Sequence, residues 1–156
     1  MHTNLPRRIL FISLAFFVLV AASCDKQGGC TDPFAENFDP AAEVEDGTCV
    51  SQREKFLGVY IGQASCLQPP NGIYQSEVKP ANDNLNDIMI TNLAGRFANP
   101  VRATVDRSSI TIQTQDPDGI GLYISGFGTI IGNNLNISFE TIYGQENNNC
   151  QYELNK

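Results

Sequence analysis

Asn134-Leu135-Asn136-Ile137-Ser138-Phe139-Glu140 alternates polar and apolar side chains without a break. A β-strand sends successive side chains to opposite faces. This period of two therefore turns Leu135, Ile137 and Phe139 one way and Asn136, Ser138 and Glu140 the other. The rhythm recurs upstream, where Val101, Ala103 and Val105 alternate with Arg102, Thr104 and Asp106, and Ile110 and Ile112 with Thr111 and Gln113. The enrichment in β-branched residues favours half-buried antiparallel strands over helix.

Turn chemistry separates these runs: Pro69-Pro70-Asn71-Gly72, Asp106-Arg107-Ser108, Asp116-Pro117-Asp118-Gly119 and Gly132-Asn133-Asn134. The breaks divide the region into eight predicted strands, at 55–66, 73–79, 86–92, 100–105, 108–115, 120–131, 134–143 and 149–155. Short links between them predict an up-and-down meander. A sheet of that size must hide its edges, so the expected fold is all-β: a single eight-stranded antiparallel barrel, with a β-sandwich as the alternative. The 102 residues of 55–156 suffice for one modest core.

Cysteine placement bears on the same question. Cys30, Cys49, Cys66 and Cys150 form an even set apart from Cys24, and four cysteines allow three pairings. Cys66 ends the first predicted strand and Cys150 opens the eighth. In a closed meander with an even strand count those two strands are antiparallel neighbours, which would bring the two thiols within disulfide reach. Cys30–Cys49 then follows as the local pair.

The amino-terminal region has a different character. Arg7 and Arg8 precede residues 9–22, in which Ser13 is the only polar side chain. That run is shorter than the about 20 residues a spanning helix needs, and it has the length and flanks of a secretory h-region. Ala21-Ala22-Ser23-Cys24 follows. This resembles the lipobox of bacterial lipoproteins, although Ala21 stands where Leu is usual. The resemblance implies a signal peptide at 1–23, a diacylglycerol on the Cys24 thiol, and a lipid-anchored tether at 24–29. Ordinary signal cleavage near Ser23, with Cys24 left free, is the alternative. Several acyl chains on one residue anchor stably where one does not. The expected location is the bacterial cell envelope, at the outer membrane, and the expected first partner is the membrane itself.

Loss of Arg7 and Arg8 from ten basic residues leaves eight against 17 acidic ones, a formal charge of −9 for residues 24–156. An acidic surface repels phosphate backbones, so nucleic acid is not an expected partner. The only histidine, His2, lies within the leader. Without it, histidine triads, histidine metal sites and histidine general bases are all excluded.

Residues 30–49 form a cysteine-bounded module with six acids and no base. From Gly29-Cys30-Thr31-Asp32 through Ala35, Asn37 and Phe38 to Asp46-Gly47-Thr48-Cys49, the segment resembles a short cysteine-bounded repeat of secreted and surface proteins in Bacteroidota-type bacteria. The resemblance implies an extracytoplasmic protein and no particular activity. Asp32, Asn37, Asp39, Glu45 and Asp46 supply the hard oxygen donors that Ca²⁺ prefers, which makes calcium the candidate cofactor. Their spacing departs from an EF-hand loop, and an acidic turn capping its own backbone is the competing account. Phe34 and Phe38 are the expected mini-core of the loop.

Residues 55–156 resemble small lipocalin-like β domains that follow lipoprotein signals in such bacteria. The resemblance rests on Phe56-Leu57-Gly58-Val59-Tyr60, Asp87-Ile88-Met89-Ile90-Thr91-Asn92-Leu93 and Ile124-Ser125-Gly126-Phe127-Gly128-Thr129-Ile130. An eight-stranded barrel is either filled by side chains or holds one small ligand. Gly126 and Gly128 share a face with Ile124 and Ile130, so they either open a cavity or let the strand coil. Tyr60, Tyr123, Phe127 and Tyr143 are the candidate cavity lining.

Catalytic motifs are absent: no phosphate loop, nucleophile elbow or zinc signature occurs. Glu77, Asp106 and Glu140 are the carboxylates a hydrolase would use, but they fall at outward positions of the alternation. The absence of Trp weakens the case for a sugar-stacking surface. The expectation is a membrane-anchored, non-catalytic binding or scaffolding domain whose partner is an envelope protein. A carrier of a small apolar ligand is the alternative, and a carboxylate hydrolase a third.

Overall fold

The computed structural model describes residues 26–69, 71–81 and 85–156. The leader 1–23, the acylation candidate Cys24 and the first part of the tether lie outside the described residues. The chain forms two compact units, one comprising 26–33 with 38–49, the other Phe34–Asn37 with Val50–Lys156. Among the described residues no helix is long and apolar enough to cross a membrane.

The smaller unit is held by the Cys30–Cys49 disulfide and by a two-stranded parallel pairing of β1 (Gly28–Gly29) with β2 (Val44–Glu45). Phe34 and Phe38, expected to form its mini-core, are both exposed. Cys30 is buried instead, as fits a loop too short to enclose two rings and closed by a disulfide.

The larger unit is a closed antiparallel barrel. Its strands are β3 (Gly58–Cys66), β4 (Gly72–Pro80), β5 (Asp87–Thr91), β6 (Val101–Asp106), β7 (Ser109–Gln115), β8 (Leu122–Ile131), β9 (Asn134–Tyr143) and β10 (Glu146–Asn155). Each pairs with the next in the chain, and β10 returns to pair with β3. The eight-stranded meander expected from the alternation is therefore the fold, and the sandwich is not. The hairpins β6–β7, β8–β9 and β9–β10 turn through two residues each, beginning at Arg107, Gly132 and Gly144. All three have positive φ, which two-residue hairpins need to match strand twist.

Two boundaries differ from the sequence expectation by three residues, the others by two at most. Gln52–Phe56 is a 3₁₀ turn, so the first strand starts at Gly58. The last strand begins at Glu146, three residues before its predicted start. Cys66 and Cys150 face each other directly across the β3–β10 ladder and are bridged, as the parity of the meander required.

Alternation holds around the wall, and the inward side chains form one buried cluster. Ile88, Ile90, Val101, Val105, Ile110, Ile112, Leu135 and Ile137 belong to it, together with Tyr60 and Tyr152. Phe56 adds to it from the 3₁₀ turn, and Leu93, Ala94 and Phe97 from the β5–β6 connection. Gly62 and Gly126 stand where the neighbouring strand passes close by. A Cβ at Gly62 would stand 2.1 Å from the Glu153 carbonyl oxygen, and one at Gly126 2.7 Å from the Phe139 Cβ. The space over these glycines is occupied by neighbouring chain, so they serve strand coiling and not cavity volume.

Candidate functional site

Four of the five candidate ligands of the acidic module accept hydrogen bonds from nearby backbone amides. Glu45 accepts hydrogen bonds from the Thr31 N–H (2.9 Å), the Thr31 hydroxyl (3.0 Å) and the Gly47 N–H (2.9 Å). The backbone bonds from Thr31 and Gly47 hold its carboxyl below the usual range. Asp46 accepts from the Thr48 N–H, and the Thr48 hydroxyl and amide lower its pKa likewise. Asp39 accepts from the Ala41 N–H and the Gln27 side chain. Asn37, in the larger unit, accepts from the Val50 N–H, and Asp32 is half-buried. Among the described residues, the only set of three His, Cys, Asp or Glu donors within reach of one another is Cys30, Glu45 and Cys49. Two of those are bonded to each other as a disulfide. Asp32, Asp39, Glu45 and Asp46 do not form such a set among the described residues, and the carboxylates of Asp39, Glu45 and Asp46 cap backbone amides.

The two tyrosines buried in the barrel have hydrogen-bond partners. The Tyr60 hydroxyl donates to the Phe56 carbonyl at 2.8 Å, and burial pushes its pKa up to about 12. The Lys156 ammonium lies 5.1 Å from the Tyr60 ring centroid and donates to the Lys55 carbonyl. Tyr152 donates to the Tyr74 carbonyl, and its hydroxyl lies 3.0 Å from that of Ser76. Burial raises the Tyr152 pKa also. Asn148 and the Gln68 backbone exchange two hydrogen bonds of 2.9 Å.

Of the aromatic residues expected to line a cavity, only Tyr60 points inward. Tyr123, Phe127 and Tyr143 are exposed, at 48%, 63% and 59% of their surface. The reason is phase. On β8 the even positions Ile124, Gly128 and Ile130 are buried, which leaves Tyr123 and Phe127 on the outer face. Tyr143 sits at the exposed end of β9.

The three carboxylates also belong to the outside. Glu77 forms an ion pair with Lys79 at 2.8 Å, Asp106 is exposed at the β6–β7 hairpin, and Glu140 accepts from the Ser125 hydroxyl at 3.2 Å. An acid that the alternation did not single out is more buried than any of them. Asp87, 5% exposed, is held by the Arg102 guanidinium at 2.6 and 3.0 Å. Arg102 in turn exchanges two backbone-to-side-chain hydrogen bonds with Gln115 on the far side. This arrangement ties β5, β6 and β7 together.

A groove of about 260 Å³ runs over the outer wall of β8, β9 and β10. Register aligns its lining in two rows of three: Ser125, Glu140 and Asn149 in one, Phe127, Ser138 and Gln151 in the other. The Ser138 hydroxyl donates to the Gln151 side-chain oxygen at 2.7 Å, so one hydrogen bond orders each row. Sequence reasoning placed Glu140 and Phe127 in other roles. It missed Ser125, Asn149 and Gln151 as a group, because only strand register brings them side by side. A second concavity, of about 200 Å³, over β6 and β7 includes Arg102, Thr111 and Gln113.

Comparison with known proteins adds one short likeness. Over 22 residues, 14% of this chain, the sequence is 77% identical to the chloroplastic ribulose bisphosphate carboxylase/oxygenase activase of Arabidopsis thaliana, and the match spans 5% of that protein. No family model matches the chain, and no solved structure does.

Proposed function

We propose that the chain is an exported lipoprotein, held at the outer membrane of a bacterial envelope by acyl chains on Cys24, and that its barrel is a non-catalytic binding domain. One observation carries the anchoring: Arg7-Arg8, the apolar residues 9–22 and Ala21-Ala22-Ser23-Cys24 stand in the order of a lipobox-type leader. Two disulfides among the remaining cysteines accord with an oxidising compartment.

Binding, as against carriage or catalysis, is supported by where the side chains go. Among the described residues the interior is occupied by Tyr60, Tyr152, Phe56 and their aliphatic neighbours, which speaks against an apolar carrier, since a carrier needs an enclosed chamber. Hydrolysis by paired carboxylates needs two acids across one cleft, and among Glu77, Asp106 and Glu140 only Glu140 borders the groove. The outer wall is the surface left for a partner.

The test is metabolic labelling of the full chain with an alkyne fatty acid in a bacterial host, beside Cys24→Ser. The expected result is a label on the wild type, absent from the variant, and membrane recovery of the wild type alone. An unlabelled, soluble wild type overturns the proposal.

A further inference from the structure

We infer that the groove over β8, β9 and β10 binds a neutral oligosaccharide chain, an inference that rests on reading the barrel as a binding domain. The first ground is the chemistry of the lining. Ser125, Ser138, Asn149 and Gln151 present hydroxyls and carboxamides that both donate and accept, and Glu140 adds an acceptor. A sugar ring offers hydroxyls of the same dual character around its rim. Its flat C–H face is apolar, and the exposed ring of Phe127 is a matching apolar face.

The second ground is geometry. Neighbouring strands lie about 4.8 Å apart and alternate residues on one strand about 6.6 Å apart. Two rows of three residues therefore set five hydrogen-bonding side chains and one aromatic ring on a lattice about 10 Å wide. Tyr123, half exposed on the same face of β8, lies four residues from Phe127, about 13 Å along the strand. Two aromatic platforms at that separation suit an extended chain of rings better than a single ring. The internal hydrogen bonds from Ser125 to Glu140 and from Ser138 to Gln151 hold the polar groups in place before a ligand arrives, which lowers the ordering cost of binding.

The third ground is charge. Between Arg107 and Lys156 the sequence contains no Lys or Arg, so the whole wall from β7 to β10 lacks a cation. Phosphorylated, sulfated or uronic ligands would meet Glu140 and Glu153 with nothing to neutralise them. A neutral glycan needs no counter-charge. Glu140 is the single carboxylate in the groove, so the arrangement grips a chain without the second acid that would cut it.

The test is binding of the purified full chain, in detergent micelles, to an array of maltotetraose, cellotetraose, laminaritetraose and mannotetraose, with oligogalacturonate and tetralysine beside them. At least one neutral glycan is expected to bind in preference to both charged probes. Its affinity should be unchanged when salt is raised to about 0.5 M, because an uncharged partner has no ionic attraction to screen. Phe127→Ala and Glu140→Gln should each weaken it about tenfold, roughly the loss of one good contact, while Gln75→Ala, exposed on β4 away from the groove, leaves it unchanged. Circular dichroism would confirm that the variants keep the barrel. Failure of all four neutral glycans to bind, or binding indifferent to both groove variants, overturns the inference. Salt-sensitive binding of tetralysine alone also overturns it, while leaving the barrel a binding domain for a cationic partner.

Discussion

Tyr60 is the residue at which the interior reports its own polarity. Its phenol is fully buried, donates to the Phe56 carbonyl, and has its pKa raised from 10 to about 12 by burial. In the unfolded chain it ionises near 10, so the folded state holds its proton where the unfolded state releases it. The stability this contributes is complete below pH 10 and is lost as pH rises from 10 toward 12. Thermal melts across that window should show the midpoint falling, and Tyr60→Phe should flatten the fall while lowering stability at neutral pH. Phenolate absorbance offers a second reading: Tyr60→Phe should remove absorbance from the upper end of the titration, near the raised pKa of about 12. An equal slope in wild type and variant would remove Tyr60 from this account.

At the scale of elements, the seam between β3 and β10 joins segments far apart in the chain. Cys66 and Cys150, 84 residues apart in sequence, are bridged across it. Replacing both by Ser should lower unfolding free energy by about 2–5 kcal/mol, read as an earlier urea midpoint, with amide exchange rising first in β3 and β10. This seam was legible in the sequence, because strand parity and the two cysteines point to the same neighbours. The strands themselves were legible wherever β-branched residues alternate, as in β6, β7 and β9. Elsewhere the pattern was hidden. Phe56 reads as a strand residue by hydrophobicity, but it plugs the core from a 3₁₀ turn. The start of β10 is the polar run Glu146-Asn147-Asn148-Asn149, weak in strand propensity, which pairs because β9 offers it a ladder. The groove was less legible still. Ser125, Ser138, Asn149 and Gln151 each look like a solvated position, and only the register between three strands makes them one surface.

For the molecule as a whole, closure is the decisive property. An antiparallel sheet leaves two unpaired edges until it meets itself, and here β10 supplies the pairing to both β9 and β3. Deleting residues 146–155 should leave those edges open, and light scattering should find the truncated chain in assemblies while the intact chain stays dispersed. A monodisperse truncated protein would mean that the seven remaining strands close without it. The same connectivity has a consequence for passage across a membrane. A polypeptide that emerges amino end first presents β3 long before its partner arrives, so the cylinder cannot shut while the chain is still threading. Under the export proposed above, completion is postponed to the far side of the bilayer, where the thiols of Cys66 and Cys150 first meet.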